Sequence, residues 1–166
     1  MNDVLLDPIR HNNWATKELV AFCRERSLTE QQLTTSGVGT YGSILATLNH
    51  LITSDAHYLG AVLGNAPAWA QSDEDAGLDV LASWVEEMAT RWEQLLSGPI
   101  DVDRTIVVDD GENEVRAGIF IAQALNHGNL HREQVCVRIS ALDIEPPDLQ
   151  AWEYAWATGR IWKRAS

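Results

Sequence analysis

Residues 41–63 read YGSILATLNHLITSDAHYLGAVL, and Asp55 is their only side chain firmly charged at neutral pH. Ile44, Leu48, Ile52, Leu59 and Val62 recur at helical spacing and share one face. The opposite side carries His50 and His57 among the small or hydroxylated residues Ser43, Ala46, Thr53, Ser54 and Ala61. A helix without a charged face is buried on most sides. This one therefore needs helical neighbours around it. Gly64-Asn65-Ala66-Pro67 stops it, with glycine supplying the left-handed turn and proline barring continuation.

Working outward, three more long helices are expected. Asp7-Pro8 is a capping residue followed by proline, which starts a helix running to about residue 26 with Ile9, Thr16, Val20 and Cys23 on one stripe. A linker, 27–40, contains Gly37 and Gly39. A third helix spans about 78–96, where Leu81, Trp84, Val85, Met88, Trp92, Leu95 and Leu96 repeat at helical spacing before Ser97-Gly98-Pro99. Between 104 and 116 the period changes: Thr105-Ile-Val-Val and Glu114-Val flank Asp110-Gly111, a short β-hairpin lying over the bundle. The fourth long helix covers about 117–142. A short helix opening at Asp148, after Pro146-Pro147, displays Trp152 and Trp156 one turn apart. The fold class expected is all-α, a four-helix bundle with a β-hairpin insertion and a C-terminal helix, in one domain over 1–166.

Composition narrows the function classes. Of 166 residues, 45% are hydrophobic and 22% charged, a globular balance able to bury a core. The net charge of −12, without a basic cluster, argues against a nucleic-acid partner. No apolar run approaches the roughly 20 residues that cross a bilayer. The first residues lack a basic then apolar leader, so the expected compartment is the cytoplasm. Two cysteines, Cys23 and Cys136, make no disulfide framework. Seven tryptophans are many for this length; most are expected in the core, the rest in a ligand cleft or subunit contact.

The chemistry concentrates on three histidines. His127 and His131, spaced i, i+4, lie about 40° apart around the helix and one turn apart along it, so both imidazoles can reach one ion. Phe120, Ala124 and Leu130 share their face, flanked by Gln123 and Gln134, which are candidates to orient the ligands or bound water or to line the pocket. Two imidazoles in such a setting are costly to leave unsatisfied, and a divalent metal resolves that cost. His50 is the third expected ligand. His57 lies two turns on, roughly 10 Å along the axis, and is expected as pocket wall or support. Arg138, two turns past His131, is a candidate anchor for an anionic substrate. Other metal chemistries fail. Gly128 follows His127 where a zincin needs glutamate, Glu-x-x-His is missing, and Asp55 falls on the leucine side as a buried hydrogen-bonding carboxylate.

Three segments together, HNNWATKELVAF from residue 11, YGSILATLNHLITSDAHYLGAVLG from 41 and NHGNLHREQV from 126, resemble the signatures of the DinB-like (YfiT-like) metalloenzymes. The resemblance covers nearly the whole chain. It implies a four-helix bundle, often dimeric, with zinc or nickel on His50, His127 and His131. Some members of that family use a low-molecular-weight thiol for S-transfer and others resemble hydrolases. The expected function is accordingly metal-dependent activation of such a thiol, or of water, on a small-molecule substrate. The alternative is a non-catalytic, metal-stabilised dimeric module. His57, Glu133 before Gln134 and the hairpin insertion depart from the pattern without touching the metal site.

Overall fold

The structure, a computed structural model, describes residues 3–72 and 75–164. Four long helices, α1 (Asp3–Glu25), α3 (Ile44–Leu63), α4 (Leu78–Ser97) and α5 (Ala117–Ser140), form a bundle in which α1 and α3 each pack on both α4 and α5. Two short helices accompany them, α2 (Glu30–Thr34) in the first linker and α6 (Ala151–Ala157) near the C-terminal end. Strands β1 (Thr105–Val108) and β2 (Asn113–Arg116) pair antiparallel, Ile106 opposite Val115. Among the described residues no helix is long and apolar enough to cross a membrane.

Local chemistry explains most element ends. Ser43 caps α3 by accepting from the Ala46 N–H at 3.1 Å, and Gly64 closes that helix at φ 81°. The N-terminus of α5 has no side-chain cap. Its Ala117 and Gly118 N–H groups donate instead to the Arg104 and Val102 carbonyls, at 2.8 and 2.9 Å, so the chain before the hairpin does the capping. The Arg104 guanidinium also reaches the Val62 carbonyl, and Ile106 packs on the core. The hairpin thus lies over the end of α3. Its loop spans 109–112, with Asp109, Asp110 and Gly111 all at positive φ.

Three expectations about element ends are corrected. Helix α1 begins by Asp3, leaving Pro8 inside it and Asp7 ion-paired with Arg160 at 2.7 Å instead of capping. Leu5 and Leu6 pack on the core, so the turn ahead of the proline has burial to gain. That gain outweighs the single bond Pro8 denies the carbonyl of Val4, an exposed residue. Helix α6 starts at Ala151, because Asp148 accepts from the Gln150 N–H two residues on and makes a turn there. The linker contains α2, unforeseen although its signal was present: Thr29 and Gln32 form a reciprocal capping box.

The interior has two apolar clusters. One gathers Leu19, Leu48, Leu51, Leu81, Val85, Val135 and Ile139; the other gathers Ile9, Leu59, Met88, Trp92, Ile121 and Ala124. On three of the four long helices, polar groups also stand between these clusters: Asn12 and Thr16 on α1, Asp55 on α3, and His127, His131 and Arg132 on α5. Arg132, only 3% exposed, donates from Nη1 to Asn12 Oδ1 at 2.8 Å and to Thr16 Oγ1 at 3.1 Å. Burial lowers its pKa to about 10. Asp55 accepts from the Trp92 indole at 2.9 Å, the buried hydrogen-bonding role expected of it, and burial raises its pKa to about 6.

The tryptophans divide differently from the expectation. Trp92 is fully buried and Trp14, Trp69 and Trp84 are half-buried, the last stacking on Trp69 at 4.4 Å. Trp152, Trp156 and Trp162 are 73%, 56% and 77% exposed. These three follow Pro146-Pro147, where α6 packs on α1 through the buried Tyr154 and leaves the tryptophans outside.

Candidate metal centre

Two facing helices build the site. His127 and His131 come from the inner side of α5, 9% and 6% exposed, and His50 comes from the middle of α3. Their ligand nitrogens all lie within 4.8 Å of one another. The Nε2 atoms of His50 and His127 are 3.1 Å apart, and the rings of His127 and His131 have centroids 4.2 Å apart at 62°. Donors at about 2.0–2.1 Å from a tetrahedral ion sit about 3.3 Å from each other, so this spacing suits one ion.

Protonation suits it too. Burial, with His131 and His50 nearby, pushes His127 down to about 4; burial and His131 also lower His50. Both are neutral at pH 7 and offer a lone pair. His131 is oriented from behind by Gln134, whose Oε1 accepts from Nδ1 at 2.8 Å. That bond places the His131 proton on Nδ1 and leaves the lone pair on Nε2. The residues present fit a divalent ion, and among the described residues no fourth His, Cys, Asp or Glu joins them. Three protein ligands with a position left over is the pattern of reactive sites rather than closed structural ones.

Around the three histidines stand two tyrosines that sequence reasoning missed. Tyr41 stacks on His50, centroids 3.9 Å apart and planes 10° apart, and meets His131 edge-on at 5.5 Å. Tyr58 meets His127 edge-on at 5.5 Å, and its hydroxyl accepts from Gln123 Nε2 at 3.5 Å. Gln123 therefore touches the site through Tyr58. Tyr58 had a readable signal, since it stands eight residues after His50 on the same helix; Tyr41 was expected as that helix's first residue, but α3 starts at Ile44 and leaves Tyr41 ahead of the Ser43 cap. A cleft of about 290 Å³ opens beside His50, walled by Tyr41, Ala46, Asn49, Thr53 and Asp75. A larger hollow of about 870 Å³ lies elsewhere, between the end of α1 and the start of α4; it holds no histidine, and its Arg24 is already paired with Asp79.

The remaining sequence candidates sit apart from the cluster. His57 is exposed and outside the three-histidine group. Arg138 lies against the first linker: Nη2 donates to the Thr35 carbonyl at 3.2 Å, and a Cβ on Gly37 would fall 2.5 Å from its Cδ. Holding that loop competes with anchoring an anion. Both cysteines are free, and burial raises Cys23 to about 12 and Cys136 to about 11. Neither is a thiolate at neutral pH.

Comparison with known proteins agrees with this architecture. The crystal structure of a DinB-like protein, YjoA, from Bacillus subtilis superposes with a TM-score of 0.65 at 22% identity, covering 90% of this chain and 98% of that one. No curated protein matches the chain. The DinB family model matches residues 1–164, with the three histidines and the whole bundle inside the match, and the chain belongs to the DinB family.

Proposed function

We propose that this protein is a divalent-metal-dependent enzyme that activates a low-molecular-weight thiol, or water, for S-transfer to or hydrolysis of a small molecule. The observation that carries the reading is the convergence of three imidazoles beside a small cleft, with no fourth His, Cys, Asp or Glu joining them among the described residues. An ion so held supplies Lewis acidity, bringing the pKa of a thiol or water it contacts toward neutrality. The chain's own residues do the rest. His50 and His127 keep their lone pairs because burial holds them unprotonated. Gln134 sets the tautomer of His131, Gln123 and Tyr58 line the flank of His127, and the cleft beside His50 has room for a compact substrate. Cys23 and Cys136 are held as thiols, so the nucleophile comes from outside the chain.

Purified protein is expected to hold about one divalent ion per chain, zinc or nickel, by elemental analysis. After cobalt substitution, added small thiols should perturb the visible spectrum, because an open position admits them. No saturable metal uptake would end the metalloprotein reading. A cobalt spectrum indifferent to thiols and carboxylates would leave the non-catalytic module as the better account.

We also propose that the protein self-associates. Trp152, Trp156 and Trp162 are exposed, and α5 turns Ile119, Val137 and, against the expectation that it shares the histidine face, Leu130 outward. Light scattering is expected to give a homodimer mass, and a monomer mass at every working concentration would reject this.

A further inference from the structure

We propose that Tyr41 is a positioning residue for the metal centre, holding His50 with its ring and His131 through its backbone. The inference rests on the three-histidine reading above and extends it to a residue that ligates nothing.

The backbone half follows from donor and acceptor bookkeeping. The Tyr41 N–H can only donate, and it points at one atom of the Gln134 side-chain amide at 3.1 Å. That atom must therefore be the oxygen. The same oxygen lies 2.8 Å from His131 Nδ1. Since an amide oxygen cannot donate, Nδ1 carries the proton and Nε2 carries the lone pair. The Tyr41 N–H thus decides which way Gln134 faces, and Gln134 decides which nitrogen of His131 is available to a metal. Without that N–H the amide could turn over and present its NH₂ group to His131, favouring the tautomer with the proton on Nε2, where it would block ligation.

The ring half follows from packing. His50 is the ligand on α3, and its imidazole has neither the i, i+4 companion nor the deep burial of the pair on α5. The Tyr41 ring lies parallel on it at 3.9 Å, while its edge contact with His131 fixes the second ligand relative to the first. Tyr41 itself is 55% exposed, so its ring adds little to the core. It stands two residues before the Ser43 cap, and that cap holds the backbone entering α3 in place.

Metal titration of four proteins, with cobalt spectra of each, tests the assignment. Tyr41→Ala keeps the backbone N–H and loses the ring; Gln134→Leu loses the link to His131. Each is expected to weaken metal affinity by about 10- to 100-fold, the usual effect of removing a group that supports a ligand, and to shift the cobalt absorption bands. Tyr41→Phe retains the ring and should bind within about threefold of the wild type, a rescue that a role for the hydroxyl would not allow. Melting temperatures of the metal-free proteins should differ little, because the ring is mostly outside the core. Affinity of Tyr41→Ala within about threefold of wild type, or a loss in Tyr41→Phe equal to that in Tyr41→Ala, overturns the proposal. Failure of the wild type to bind metal would instead overturn the reading on which it rests.

Discussion

His50→Ala should reduce metal affinity by about 100- to 1,000-fold, while His57→Ala should leave it within about tenfold of wild type. The first figure follows from dividing the roughly 10–16 kcal/mol of a four-ligand zinc site among its ligands, about 2.5–4 kcal/mol each, or on the order of 100- to 1,000-fold. His50 has its Nε2 3.1 Å from that of His127, so its removal leaves only the i, i+4 pair on α5. His57 is exposed two turns away and outside the cluster. Isothermal or competitive titration with zinc measures both. Equal losses, or a larger loss at His57, would move the ion toward the end of α3 and refute the site assigned here.

Gly128→Ala should destabilise the protein by about 2–4 kcal/mol, against the helix-propensity gain of about 1 kcal/mol that the same change brings in an open helix. A Cβ at this position would collide with Asn12 Oδ1 and lie 2.9 Å from Arg132 Nη1. Both groups are ends of side chains, which in the open would simply step aside. Here Asn12 is 5% and Arg132 3% exposed, and they hydrogen-bond each other at 2.8 Å. Moving either strands a buried polar group, and for Arg132 a buried charge, so the clash outweighs the propensity. Urea unfolding of the metal-free protein isolates the effect, since bound metal would add its own linkage. Equal or greater stability of the variant would show that the seam between α1 and α5 can open. Gly128 also lies between the two histidines of α5, so a shift there should reach the metal site and weaken zinc binding.

The four long helices were legible because each carries an apolar stripe at helical spacing, and the near absence of charge from 41–63 marked α3 as the most enclosed of them. Proline and glycine mark where the helices end, although Pro8 misled: a proline near a helix start reads as its first residue unless apolar residues ahead of it, here Leu5 and Leu6, find something to cover. His127 and His131 were legible as a pair since one helix alone brings them together.

What the amino-acid sequence determined by itself, then, were properties confined to single helices: their length, their buried face, and which histidines on one helix can share an ion. Tertiary structure decided everything that depends on which faces meet. It set His50 against α5, left Tyr41 ahead of α3 and stacked on His50, committed Arg138 to the 27–40 linker, and left Trp152, Trp156 and Trp162 exposed. The physical reason is that local spacing fixes directions around one axis only. A contact between segments far apart in the chain depends on the packing of whole helices, and no short-range pattern carries that information.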